Sequence, residues 1–242
     1  MWSTTWTPHA LWSEARLWQG LAWRMVESQH IAATMKLVDT HDEQDLLESM
    51  LDQAKPHKPV DTAGLHYLLA TPFRYPPFAT GSRFRRYTDP GVFYAAQSVR
   101  TAAAELGYWR WRFLMDAPAL QRLTPVAHTA FSVKLSTMAI DLREPKFGLD
   151  LDRWRYSSDY TPTQGLAQLV RQAEVGSILY PSARDPEPAW CIALLSPQGF
   201  ARKKPEPAIE NWYLAVSREE VIWRRDQESV RFSTTGWRDT HN

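Results

Sequence analysis

The chain contains one cysteine in 242 residues, Cys191, so it has no intramolecular disulfide with which to staple a small scaffold. It lacks any run of 18 apolar residues, which excludes a membrane-spanning helix. Residues 1–7 carry no basic stretch leading into an apolar one, so no secretory leader is expected, and a reducing, cytoplasmic setting follows. Net charge is only +1, too little for a nucleic-acid-binding tail. With ten glycines there is neither a G-x-G-x-x-G nor a Walker-type lysine loop, which removes the usual dinucleotide and nucleotide phosphate cradles. A Gly-x-Ser-x-Gly nucleophile elbow is also missing. The seven histidines, at 9, 30, 41, 57, 66, 128 and 241, show no i, i+4 ligand pair, so no metal is expected.

What is present is a hydrophobic share of 44%, enough for a sizeable core, and an excess of tryptophan: twelve of them. Such an aromatic surplus serves either dense packing or stacking surfaces for planar ligands. Charge is split unevenly, with −4 over residues 1–70 and +5 over residues 71–242. The first segment reads as helical. Leu17, Leu21 and Met25 recur every four residues after Ser13. Thr40-His41-Asp42-Glu43 has the form of a capping box, and Leu46, Leu47, Met50 and Leu51 then mark one helix face up to about Lys55. Pro56 and Pro59 flag a linker, and the chain divides there into a helical N-terminal extension, 1–60, and a body, 61–242.

The body alternates element types. Residues 92–96 follow the turn signal Asp89-Pro90-Gly91 and read as a strand. Ser98 can cap a helix reaching about Leu114. Residues 129–135 alternate with period two, and Thr161-Pro162-Thr163-Gln164 opens a helix to about Ala173 by capping-box logic. Short apolar strands are expected at 177–180, 190–195, 212–216 and 221–224. The class is therefore α+β, a mixed sheet core with flanking helices.

Two stretches carry chemistry. Tyr108-Trp109-Arg110-Trp111-Arg112-Phe113 interleaves aromatics with arginines as single-strand binders do. On a helix, however, Trp109 and Phe113 share a face with Leu106 and Glu105, so core packing with snorkelled arginines is the expectation and nucleic acid is not. The second stretch spans residues 73–105, from Phe73-Arg74-Tyr75-Pro76-Pro77 through Gly81-Ser82-Arg83-Phe84 and Gly91-Val92-Phe93-Tyr94 to Thr101-Ala102-Ala103-Ala104-Glu105. Arg83, Tyr94 and Glu105 stand eleven residues apart, an arginine in a loop, a tyrosine on a strand and a carboxylate in the next helix. Arginine, carboxylate and aromatic ring are the groups a nicotinamide dinucleotide needs: a fork for pyrophosphate, charge for a ribosyl cation, a ring for a base. Taken singly, each has a plainer reading: a surface ion-pair arginine, a core strand tyrosine, an exposed helical glutamate.

This R…Y…E order, followed by Tyr180-Pro181-Ser182-Ala183-Arg184-Asp185-Pro186, resembles the RES domain over roughly residues 65–225. Arg83, Glu105 and Ser182 match the three residues for which that family is named. Tyr94 matches its strand tyrosine, and Arg74-Tyr75 its earlier Arg-Tyr pair. The resemblance implies a fold similar to ADP-ribosyltransferase toxins and an enzyme that breaks down NAD, its substrate. Family members resemble NAD glycohydrolases, phosphate-dependent NAD phosphorylases or, in one line, protein ADP-ribosyltransferases, and they are the toxins of toxin–antitoxin pairs with an Xre-type helix-turn-helix antitoxin. The catalytic set so implied is Glu105, Arg83 and Ser182, with Arg74, Tyr75 and Tyr94 binding NAD. A protein-modifying transferase and a non-catalytic NAD- or partner-binding module stay open as alternatives, as does a homodimer. The first 60 residues have no counterpart in compact members of the family.

Overall fold

The computed structural model describes residues 5–28, 40–77, 79–156 and 159–238. Helix α1 (Pro8–Glu14), capped by Thr7, leads into strand β1 (Arg16–Glu27). The region read as helical is therefore a strand. A spacing of four is also an even spacing, and β1 pairs along β3 over twelve residues, Arg16 opposite Ala139 through Glu27 opposite His128. Tertiary pairing overrides the helical period. The capping box at Thr40 and Glu43 is formed, each backbone amide meeting the other's side chain at 3.2 Å, and starts α2 (His41–Gln53). The expected core face of α2 is not buried: Leu46, Met50 and Leu51 are exposed.

After a 3₁₀ turn at Val60–Thr62 come α3 (Tyr67–Arg74), β2 (Phe93–Ala96) and α4 (Val99–Met115), the last capped by Ser98. Strand β3 (Arg122–Asp141) is the longest element, with a register shift between Leu123 and Val126 where Pro125 cannot donate to the ladder. A 3₁₀ segment at Pro145–Asp150 precedes α5 (Leu151–Arg155) and α6 (Thr161–Gln172). Then follow β4 (Ser177–Pro181), β5 (Trp190–Leu194), β6 (Ile209–Ser217), β7 (Glu220–Arg225), β8 (Glu228–Ser233) and α7 (Thr235–Arg238).

The eight strands form one mixed sheet in the order β1-β2-β5-β4-β3-β6-β7-β8, and β1 also pairs with β3. Five strands thus close on themselves, β1-β2-β5-β4-β3 and back to β1, with a single pair, Trp23 to Ala96, completing the ring between β1 and β2. Strands β6 to β8 extend from β3 as an open wing. Period-two alternation gives each ring strand an inner and an outer face. Ala22, Phe93, Ala95, Phe131, Val133, Leu179, Ile192 and Leu194 point inward with Leu69 and Phe73 of α3. Ala96, Ala130, Ile178, Tyr180, Cys191 and Ala193 point outward, where α4 and α6 cover them.

Most of the tryptophan excess is spent on this packing. Trp111, Trp154 and Trp223 are fully buried. The indole N–H groups of Trp111, Trp223 and Trp237 donate to the carbonyls of Arg218, Ala103 and Arg184 at 2.9–3.2 Å, as buried indoles require. Within α4 the buried face is Ala104, Tyr108 and Trp111; Trp109 and Phe113, expected in the core, are 50% and 59% exposed. Gly107 lets α4 approach the sheet, where a Cβ would meet Val221 at 2.9 Å, and with Tyr108 and Trp111 turned inward Trp109 and Phe113 fall on the outer side of the helix.

Candidate active site

Glu105 stands at the middle of α4, half-buried, on the outer face of the ring. The turn after β4 is fastened to the start of the same helix: Thr101 Oγ1 donates to Asp185 Oδ2 at 3.0 Å, and Arg100 bridges Asp185 and Glu187 at 3.3 and 3.0 Å. That fastening carries Ser182 to Glu105. The amides of Arg184 and Asp185 donate to Ser182 Oγ at 3.2 and 3.1 Å, which leaves the hydroxyl proton to go to Glu105 Oε1 at 2.6 Å. A bond that short is characteristic of a hydroxyl on a carboxylate. The Cys191 thiol donates to the same oxygen at 3.7 Å. Burial, reinforced by the Glu105 charge, pushes the Cys191 thiol well above its ordinary value, so it is a neutral donor and no nucleophile. Among the described residues Glu105 Oε2 has no protein hydrogen bond.

Arg83 is 8% exposed. Its Nη1 donates to the carbonyls of Trp154 and Tyr156, both at 2.9 Å, and its guanidinium lies 4.9 Å from the centroid of the Tyr160 ring. No carboxylate pairs with it among the described residues. The loop that holds it is built for that conformation. Gly81 has φ +74°, and a Cβ there would meet Arg85 O at 2.2 Å, so only glycine fits. Gln164 of α6 reaches the carbonyls of Thr80, Ser82 and Arg85 at 3.0–3.3 Å. Gln164 therefore clamps the arginine loop and does not close a capping box; Asp159 takes the Thr161 amide at 2.9 Å instead. On the strand side, Tyr94 OH meets Ser82 Oγ at 2.8 Å and accepts from the Phe84 amide at 3.0 Å, so it grips the loop on both sides of Arg83. Burial raises the Tyr94 phenol despite these bonds.

Tyr180 lies between these groups, within electrostatic reach of Cys191, Glu105, Tyr94 and Arg83, and burial holds its phenol well above the ordinary range. The structure thus brings Arg83, Tyr94, Glu105 and Ser182 to one region on the outer face. Arg74 and Tyr75 end α3, which packs on the inner core. Arg74 Nε donates to Pro56 O at 2.5 Å and its guanidinium lies 5.9 Å from the Tyr75 ring, while the Tyr75 carbonyl accepts from Arg85 at 2.9 Å. Sequence reading missed Tyr160, Gln164, Tyr180 and Cys191. It also missed Trp109, one turn beyond Glu105, whose exposed ring meets Tyr160 edge-on at 6.4 Å between centroids. Their signal is tertiary, except that Trp109 follows Glu105 at i+4 and so shares its face. A cavity of about 510 Å³ between β3 and β6, near Arg122 and Ser217, contains none of these residues.

The RES domain model matches residues 58–217, most of the chain. The chain belongs to the RES domain family. Arg83, Glu105 and Ser182 all fall inside the matched span of this RES domain. A chain in the crystal structure of the M. tuberculosis MbcT–MbcA toxin–antitoxin complex superposes with a TM-score of 0.44 at 13% identity, covering 93% of this chain and 91% of that one. No curated protein matches the sequence. Among the described residues no group of three or more His, Cys, Asp or Glu side chains could hold a metal ion, and no helix is long and apolar enough to cross a membrane.

Proposed function

We propose that this RES domain cleaves the bond between nicotinamide and ribose in NAD, with water or phosphate as acceptor. The observation that carries the reading is Glu105, held through Oε1 by Ser182 at 2.6 Å and, among the described residues, with no protein bond at Oε2, in the same region as the buried Arg83, which has no acid partner among them. The pyridinium leaves as neutral nicotinamide with the bonding electron pair, so acid catalysis is unnecessary and the barrier lies in the cationic ribosyl group, as in glycosidases. A fixed carboxylate stabilises that cation as it forms. The acceptor oxygen then bonds to the ribosyl carbon and, when it is water, releases its proton. Arg83 offers its remaining N–H groups to pyrophosphate, a task suited to a guanidinium fork. Tyr94 acts through the loop it grips, as a positioning residue, while the exposed Trp109 and the Tyr160 ring supply stacking surface. Arg74, whose Nε is taken by Pro56, and Tyr75 are given no contact with the reacting bond.

With the resemblance to RES–Xre pairs, this activity makes the chain the toxin of a toxin–antitoxin system, held in check by an Xre-type partner. The experiment is release of nicotinamide from NAD by the purified protein, with and without phosphate. Glu105→Gln keeps the amide oxygen for Ser182 but removes the charge, and the rate should fall by about 10²–10³. A wild-type protein that leaves NAD intact in both buffers sinks the proposal. Labelled ADP-ribose appearing on a protein band, in place of free product, shifts it to protein modification.

A further inference from the structure

A second arginine without an acid partner lies on the other face of the sheet. Arg24 occupies the inward side of β1 between Ala22 and Val26. Its Nη1 donates to Tyr94 O at 2.7 Å and its guanidinium lies 4.9 Å from the Phe93 ring centroid. Nε is buried with no hydrogen-bond partner, and no carboxylate comes within ion-pair distance among the described residues. Glu27, the nearest acid along the strand, is taken by Arg110. Burial lowers the Arg24 pKa to about 10, still cationic at neutral pH. Holding a guanidinium in apolar surroundings without a counter-charge is costly.

Beside it a cavity of about 260 Å³ opens where α3 meets the mouth of the strand ring. Arg24, Ser28, Thr129 and Thr71 supply its polar wall, Val26 and Leu68 its apolar one. Ser28 and Thr129 share a hydrogen bond at 2.9 Å, and Thr129 also reaches Asn211 Oδ1 at 3.5 Å; with Thr129 as donor to Ser28, the Ser28 proton is left for a ligand oxygen. We infer that this cavity binds a small organic carboxylate, whose charge is met by Arg24 and whose carbon body lies on Val26 and Leu68. The volume sits below that of pockets for drug-sized ligands, roughly 300–1,000 Å³, and suits a compact molecule. The rim also carries Glu27, so a single negative charge is favoured over a dianionic phosphate.

The test is calorimetric titration of the full chain, without NAD, using sodium butyrate, sodium phosphate and sodium chloride at matched ionic strength. Butyrate should bind saturably at one site, chloride should not, and Arg24→Met should weaken butyrate at least about tenfold, the loss of one charge-assisted contact. Thr71→Trp fills the cavity from α3 and leaves Arg24 in place; it should also remove binding, and it decides the matter if the Arg24 variant does not fold. Absence of saturable butyrate binding by the wild type overturns the site. Unchanged affinity in the variants removes it from this cavity, and tighter binding of phosphate than of butyrate overturns the carboxylate assignment.

Discussion

Ser182→Ala tests whether the serine works through Glu105 or on the substrate directly. The substitution removes one hydroxyl that makes three hydrogen bonds, donating to Glu105 Oε1 at 2.6 Å and accepting from the Arg184 and Asp185 amides at 3.2 and 3.1 Å. The bond to the carboxylate contributes about 1.5–3 kcal/mol, while the two longer amide bonds, in a partly buried turn, add about 1 kcal/mol because water replaces them only in part. A stability loss of about 2–4 kcal/mol is expected in urea, with the slope unchanged. Glu105 then keeps only the Cys191 thiol at 3.7 Å, too weak a donor to hold the carboxylate in one orientation. Turnover at saturating NAD should fall about 10- to 100-fold with KM little changed, because the orientation lost matters to the cation and not to the bound ground state. Ser182→Thr, which keeps a hydroxyl, should recover most of it. The decisive measurement is a double-mutant cycle: in a Glu105→Gln background, Ser182→Ala should cost less than about threefold. Additive losses would refute the positioning role and put the serine on the substrate.

Gly81→Ala forces φ +74° on a side chain and drives a Cβ to 2.2 Å from Arg85 O, so denaturation midpoints should report a loss of about 2–4 kcal/mol; nicotinamide release should fall with it because Arg83 shares that loop. An unaffected midpoint contradicts the geometry. His128 is buried edge-on to Trp223 with Nδ1 on the Val126 carbonyl at 2.9 Å and Nε2 without a hydrogen-bond partner among the described residues. Burial lowers its pKa below the ordinary 6.5, so the unfolded chain takes up the proton first. Its contribution is intact above pH 6.5 and is lost as pH falls from there through the lower folded value. Thermal scans from pH 7.5 to 5 should show this decline, and His128→Phe should flatten it; an identical slope in the variant assigns the decline elsewhere.

Much of the body was legible because its signals are local. Ser98 caps α4, the 129–135 alternation lies within β3, and the four short strands formed close to their expected positions. Spacing and family resemblance single out Arg83, Tyr94, Glu105 and Ser182 as a set, and the fold brings them to one region, where their roles are those proposed above. The errors are equally physical. Leu17, Leu21 and Met25 satisfy both a helical and an extended period, and the partner strand that breaks the tie lies more than a hundred residues away. Trp109 and Phe113 are apolar and so are expected in the core, yet α4 turns Ala103, Ala104, Gly107, Tyr108 and Trp111 to the sheet, which puts Trp109 and Phe113 on the opposite side. Gln164 fits a capping box by pattern, but its amide is worth more across three loop carbonyls.

By itself the amino-acid sequence determined the elements whose period, caps and turn residues act over a few residues, the chemical kit of arginine, carboxylate and serine, and the exclusion of disulfides and glycine-rich phosphate loops. Tertiary structure alone decided the closure of five strands through β1 and the face on which each side chain emerges. It also decided that Ser182 donates its only proton to Glu105, and that the buried Arg83 and the half-buried Arg24 stand on opposite faces of one sheet with no acid paired to either among the described residues. Those outcomes depend on contacts between residues 70 to 123 positions apart, from Arg24 with Tyr94 to Arg16 with Ala139, where no local preference reaches and only packing and hydrogen-bond satisfaction choose.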